Sequence, residues 1–429
     1  MVTTSTLPTR GLAPTREVLP NGLTVIAKET STTPAVTLHI GLHAGTIYDP
    51  PGQTGVAHFV ARTIDRGTRS RSADQIAEEL DGSGVSLSVS VNRHAMFLVC
   101  TCLVEDFEAV LALLAEMVKH PTFLSGEVES RRGEIVTLIR QDDDSPATVA
   151  SEALMAMLYG DAHPYGQRPR GSLASVEAID RVVLERFHTE RFAPTALSMA
   201  AVGDIEPGRV IDAAAAAFAE WKPVAAGRPD IPPVPSIHER HVRIVPMMNK
   251  AQADIAYGFT TILRSDPSYY ACWLMNNILG QYSMGGRLGD SIRERQGMAY
   301  YAFSSLDANV IPGPLMIRAG VNPSNVERAV ASIDAELTKL AADGPTVKEL
   351  QGSKQYLIGS MPRSLETNIG IATFLQTAEF FGLGLDYDLR VPELLGAVTL
   401  EEVHAAARRT LDPARAAVAV AGPYDGSLR

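Results

Sequence analysis

Residues 195–202 (TALSMAAV) and 414–421 (ARAAVAVA) are two short apolar runs, each entered from a proline (Pro194, Pro413) and each closed by a glycine (Gly203, Gly422). Both runs are apolar at successive positions, as strands buried on two faces must be. They lie 219 positions apart. The same shift sets Phe107-Glu108 on Val326-Glu327 and Leu138-Ile139 on Leu357-Ile358. Several coincidences at one shift mark a duplication, two halves built to one plan. Outward from its closing strand, the first half reads as strands at about 23–28, 35–43, 84–92 and 95–103, with helices at about 53–65, 73–81, 105–118, 126–141, 147–159, 176–190 and 207–220. Strands clustered between helical runs predict an α+β architecture in which each half is a mainly antiparallel sheet with helices packed on one face. Between the halves, residues 221–240 hold five prolines in twenty positions and read as an extended linker. The expected plan is an N-terminal extension over 1–17, a first half over 18–220, the linker, a second half over 241–422 and a tail over 423–429.

The chain has 429 residues, well beyond the roughly 150 typical of one domain, and its 45% hydrophobic and 20% charged residues are ordinary for a globular protein. With 38 Lys and Arg against 49 Asp and Glu, the formal charge is −11 and no basic run stands ready to neutralise phosphates. Nucleic acid and anionic membranes are therefore not expected partners. No apolar stretch approaches the roughly 20 residues of a bilayer span, and the Thr- and Pro-rich start lacks a signal-like apolar core, so a cytoplasmic protein is expected. Three cysteines cannot all pair. Cys100 and Cys102, two apart on a strand, point the same way and read as reduced core residues.

The segment Gly55-Val56-Ala57-His58-Phe59-Val60-Ala61-Arg62, running on to Arg66-Gly67-Thr68, reads as a helix soon after the second strand. Together with Asn21-Gly22-Leu23-Thr24-Val25, His163-Pro164-Tyr165-Gly166 and Ala201-Val202-Gly203-Asp204, it resembles the pitrilysin/insulinase family of zinc metallopeptidases, which includes the processing peptidases. The resemblance covers roughly residues 18–422. In that family the helix carries His-x-x-Glu-His, two zinc-binding histidines one turn apart and a glutamate that activates water. Here His58 keeps the first histidine, Ala61 stands at the glutamate and Arg62 at the second histidine. The third ligand, about 76 residues further on, falls on Leu138. The motif is degenerate. Alanine takes no proton, leucine binds no metal, and a guanidinium about 4 Å from a dication would be repelled by roughly 8 kcal/mol at an effective dielectric of about 20. His39 and His43, four apart on a strand, are separated by about 13 Å. His94, His120, His188, His238, His241 and His404 form no ligand-spaced cluster with carboxylates. No metal is expected on this chain, and His58 reads as a half-buried helix residue. For Asp142-Asp143-Asp144 the expectation is a solvated loop in which Asp144 or Ser145 caps the next helix, with Pro146 at its first position.

In the second half, residues 284–301 resemble the family's other signature, an arginine at a helix end and a tyrosine seven residues on in the next strand. Arg293 and Tyr300 have that spacing, with Gly297 between them as a left-handed cap. A phenol and a guanidinium can donate to a peptide carbonyl and to the oxyanion formed as water adds to it. Arg287, Arg295 and Tyr301 do not fit the spacing and read as surface or packing residues. Gly280, Gly285, Gly286 and Gly289 lack the Lys-Ser/Thr end of a phosphate loop and read as a loop facing a cavity. The resemblance implies a non-catalytic subunit of a two-chain peptidase. A zinc-bearing homologue would hold the metal, and this chain would supply substrate-binding Arg293 and Tyr300 in trans while helping to enclose a chamber for extended peptides. The alternative of a different class is an inert binding or scaffold protein of the same fold, which has no chemical reason to keep that pair.

Overall fold

The computed structural model describes residues 11–222, 229, 231–282 and 285–428. The first ten residues of the expected extension, linker positions 223–228 and 230, and Ser283, Met284 and Arg429 lie outside the described residues. The strands are β1 (Thr15–Val18), β2 (Thr24–Glu29), β3 (Ala35–Leu42), β4 (Ser88–Val91), β5 (Met96–Leu103), β6 (Leu197–Gly203), β7 (His241–Pro246), β8 (Ala253–Thr260), β9 (Ala299–Leu306), β10 (Pro314–Val321) and β11 (Ala417–Gly422). Five helices matter below: α1 (Val56–Thr63), α2 (Ser125–Asp143), α3 (Pro146–Tyr159), α4 (Val347–Ser364) and α5 (Asn368–Phe380).

The six-stranded sheet runs β1-β2-β6-β3-β5-β4 and the five-stranded sheet β7-β11-β8-β10-β9. After β1 is set aside, the two orders are the same order, as a duplication requires. In each sheet only the closing strand pairs in parallel, β6 with β2 and β11 with β7; the other pairings are antiparallel. The expected α+β class and duplicated sheets are what the fold presents. In detail β1 begins at Thr15 inside the expected extension, and the helix expected over 176–190 is two, Leu173–Ala178 and Arg181–Arg191. Asp180 breaks it by accepting the Val183 N–H at 2.9 Å as the second helix's cap. Ser145 caps α3 from its side chain with Pro146 in the first turn, as the sequence suggests.

The compact units do not coincide with the contiguous halves. One unit comprises the chain up to Ile139 with Arg168–Asp230 and Pro362–Arg390; the other comprises Arg140–Gln167, Ile231–Met361 and Val391–Arg429. The exchanged pieces are equivalent helices of the duplication, α3 and α5. In the first unit Val25, Ala27, Met199 and Ala201 face a core shared with Phe59 and Val60 of α1 and with helix Phe107–Lys119. The opposite face, Ile26, Ala200 and Val202, is covered by Ile371, Ala372 and Leu375 of α5. In the second unit the same pattern holds on β8. Tyr257 donates its hydroxyl to Asp334 of helix Val326–Asp343 at 2.9 Å, whereas the next residue, Gly258, abuts Leu154 of α3, because side chains alternate along a strand. Each sheet thus carries, besides its main helical layer, one helix on its other face. No described helix is long and apolar enough to cross a membrane.

Candidate functional site

The degenerate motif lies on α1, in the first unit. Asp49 fixes the start of that helix, its carboxylate accepting the Gly55 and Ala57 N–H groups, both at 2.7 Å. His58 is half-buried, and Ala61, 4% exposed, packs into the core. One turn beyond His58, Arg62 donates Nη2 to Glu134 Oε2 of α2 at 3.0 Å, and Glu134 also pairs with Arg131 at 2.6 Å. Leu138 follows Glu134 by one turn and is half-buried. The fold therefore does bring the two helices of the motif together, through a guanidinium clasped by a carboxylate. Such a donor set does not fit zinc: the cation between the helices belongs to the protein. Among the described residues no group of three or more His, Cys, Asp or Glu is placed to hold a metal ion. The purified chain is accordingly expected to carry no stoichiometric zinc, and elemental analysis returning about one zinc per chain would contradict this assignment.

The second signature lies in the other unit, where residues Gly289–Arg295 form a π-helical turn leading into β9. Gly297 ends it at φ +61°, donating to Arg293 O at 3.0 Å while Met298 donates to Ile292 O at 3.0 Å. No atom lies within 4 Å of where a Cβ at Gly297 would stand, so the left-handed backbone alone calls for glycine. Arg293 donates Nε and Nη2 to the single oxygen Oε1 of Glu294, at 2.9 and 2.7 Å. Tyr300 on β9 is 86% exposed, a large aromatic with no packing role. The pair flanks Gly297, and no hydrogen bond joins its members among the described residues. The neighbouring arginines are engaged elsewhere. Arg287 donates to both oxygens of Glu349 at 2.6 and 2.9 Å; burial acts to raise that carboxyl, but the Arg287 and Thr346 bonds overcome it and bring it to about 2. Arg295 reaches Asp290 at 2.9 Å and Glu336 at 3.3 Å.

Arg293 also lines a cavity of about 540 Å³ together with Gly280, Gly285, Tyr301 and Tyr356. Of the four glycines read as facing a cavity, Gly280 and Gly285 line this one, Gly286 lines a second cavity, and Gly289 lies in the π-helical turn and lines neither. Tyr301, read as a packing residue, gives its hydroxyl to Asp254, itself 4% exposed. Sequence reasoning missed Asn277, which lines the same cavity. The signal was there in residues 271–280, ACWLMNNILG, where a polar doublet interrupts an apolar helix.

Fold and signatures define a duplicated α/β chain of the metallopeptidase type. Residues 24–166 match the family described as Insulinase (Peptidase family M16), and residues 178–357 match the Peptidase M16 inactive domain. The chain belongs to the insulinase, or M16 peptidase, family. It is similar to an uncharacterized zinc protease of Mycobacterium tuberculosis, 29% identical over 440 residues that span 98% of this chain and 96% of that protein. It is also similar, at 25% identity and a TM-score of 0.90, to a crystal structure of a peptidase M16 inactive domain from Pseudomonas fluorescens, which covers 97% of this chain and 99% of that one. The alpha subunit of the mitochondrial-processing peptidase of Solanum tuberosum is 29% identical over 185 residues, 43% of this chain and 36% of that protein.

Proposed function

We propose that this chain is a non-catalytic subunit of a two-chain M16 peptidase, placing Arg293 and Tyr300 beside a metal site held by a zinc-bearing homologue. The observation that carries the reading is an asymmetry of retention. Ala61 and Arg62 cannot serve as base or ligand, while Arg293, the left-handed Gly297 and the exposed Tyr300 stand at the spacing of the second signature. In this role the Tyr300 hydroxyl and the Arg293 guanidinium donate to the scissile carbonyl of an extended peptide and hold the charge that grows on its oxygen. A relative named as a subunit of a processing peptidase supports the pairing. Three free, buried cysteines suit the cytoplasm. The inert-scaffold reading draws on the Arg293–Glu294 pair, which occupies one edge of the guanidinium; the exposure of Tyr300 weighs against it. Co-expressed with a zinc-bearing homologue from its own genome, the chain is expected to co-purify one to one. Failure to associate with any such homologue would transfer the case to the scaffold.

A further inference from the structure

The ladder between β9 and β10 breaks step at Tyr300. Gly320 stands opposite Tyr301, but the next residue, Val321, stands opposite Ala299, so β9 carries one residue more than its partner. This is a β-bulge, and Tyr300 is the extra residue. Side chains alternate along a strand, and Ser304 and Ala302 are buried on one face, so the next place on that face would fall to residue 300. Ala299 takes it instead, at 8% exposed, and Tyr300 is turned out to solvent. In the other sheet the corresponding ladder, β4 on β5, runs from Ser88 opposite Val99 to Val91 opposite Met96 without a shift. The equivalent strand of the first half is regular.

Two anchors leave that residue over. On the helix side, Gly297 and Met298 are bonded back to Arg293 O and Ile292 O, which fixes where the strand can start. On the sheet side, Tyr301, Gly320 and Asp254 form one transverse row over three neighbouring strands, and the Tyr301 hydroxyl crosses the middle strand to donate to Asp254 Oδ1. Two strand spacings are roughly 9.6 Å, so the bond needs a long side chain and a clear path. Glycine supplies the path: a Cβ at residue 320 would stand 2.7 Å from the Tyr301 ring and would strike the Gln252 amide. Gln252 donates Nε2 to both Asp254 oxygens, at 3.1 and 3.2 Å, so the acceptor is itself held. Burial and the Asp254 carboxylate both raise the Tyr301 phenol, which keeps it a donor. A one-residue slip of β9 would take Tyr301 out of the row and break the bond.

We propose that Tyr301 is a positioning residue: its bond to Asp254 across Gly320 holds the bulge, and the bulge keeps Tyr300 turned out to where a peptide carbonyl can meet its hydroxyl. The proposal rests on the reading of Tyr300 as a donor to that carbonyl and adds the device that aims it. Fluorine NMR on the whole chain, labelled with 3-fluorotyrosine, tests the device without a partner subunit. The Tyr300 signal is the one lost in Tyr300→Phe. In the unmodified chain it should be a single line that a soluble gadolinium chelate broadens, as an exposed ring in one setting requires. Tyr301→Phe, which removes one hydroxyl, should split that line or shield it from the chelate. Gly320→Ala, which pushes the Tyr301 ring off its row, should do the same. A Tyr300 signal unchanged in both variants overturns the proposal. In the complex with a zinc-bearing homologue, Tyr301→Phe should lower kcat about tenfold or more and leave KM within about twofold, since a misplacement of about 1 Å suffices for such a loss. Added to Tyr300→Phe, it should cost nothing further, because the hydroxyl it aims is already gone. An equal loss in both backgrounds would mean that Tyr301 supports the fold at large, and overturns the positioning role. If Tyr300→Phe leaves turnover unchanged while the fluorine signal responds as expected, the subunit reading fails and the aiming device stands.

Discussion

Tyr300→Phe, introduced into the complex with a zinc-bearing homologue, is expected to lower peptide turnover by about 10²–10³-fold while assembly is unchanged. The exposure of the residue makes the experiment clean. At 86% exposed, Tyr300 holds nothing in place through its hydroxyl, and surface substitutions of this kind typically shift stability by no more than about 0.5 kcal/mol. The whole loss is then assigned to the carbonyl oxygen that the hydroxyl would meet. Arg293→Ala should cost at least as much, part of it through packing of the side-chain stem. Arg295→Ala is the control: it breaks only the pairs with Asp290 and Glu336, worth about 1 kcal/mol or less between exposed partners, and should leave turnover near that of the unmodified complex. Single-turnover rates on several peptides that are the same with and without the Tyr300 hydroxyl would mean that this chain contributes shape and no catalytic group.

Acid is expected to weaken the first unit well above the pH at which carboxylates titrate. Burial pulls His39, His94 and His188 down to about 4, with Arg93 and His43 lowering His94 further. An unfolded histidine titrates near 6.5. Between those values the unfolded chain binds more protons than the native one. The stability these residues confer is therefore complete above about pH 6.5 and drains away as pH falls toward 4, by up to about 1.4 kcal/mol per pH unit for each. Asp49 runs the other way. Burial, opposed by its bonds to Ala57 and Gly55, raises it to about 7, so the native state takes up its proton over the same range and offsets about one histidine. The net slope still favours neutral pH. The damage should centre on α5. His43 stacks on Phe380 at 5.1 Å and His94 meets the same ring at 6.2 Å, while Gly41, two residues from His39 on β3, abuts Gln376. Glu379 at the same helix end is already neutralised by Arg16 at 2.8 Å and so does not compensate the histidine charge. Melting temperature should fall from pH 7.5 to pH 5, amide exchange over residues 368–380 should quicken, and His94→Gln should flatten the dependence. A melting temperature that holds or rises across that interval would refute the assignment.

Much of this was readable from residues alone, for a definable reason. The closing strands announced burial on both faces because every position of 197–203 and 417–422 is small or apolar, and the fold buries both. Gly297 was readable because a left-handed turn between a helix and a strand leaves a local mark. The degeneracy of the motif was readable because alanine and arginine, at positions 61 and 62, are residue types that cannot act as base or ligand, whatever surrounds them. What covers the second face of each sheet was not readable. The helix that does so is distant in sequence, and nothing in the pattern of α5 distinguishes docking on its own half from docking on the other. Nor could Arg62–Glu134 be foreseen: Glu134 lies one turn before Leu138, and only the packing of α1 on α2 makes it a partner. Asn277 was passed over for a similar reason, since an amide in an apolar run says that something polar is near but not what.

The reciprocal exchange of α3 and α5 sets an order for how this protein can be made. A ribosome that has reached residue 220 has delivered every strand of the first sheet, yet Ile26, Ala200 and Val202 face water until residues 368–380 emerge. Meanwhile α3, whose Leu154 belongs against Gly258, waits for β8 and β11 to be synthesised. Neither nascent half can close by itself, and each exposes an apolar sheet face of the kind that other chains bind. A gene cut at the linker would yield two fragments that stay soluble only when produced together, each donating one helix to the other, so that maturation is a single event at the end of translation.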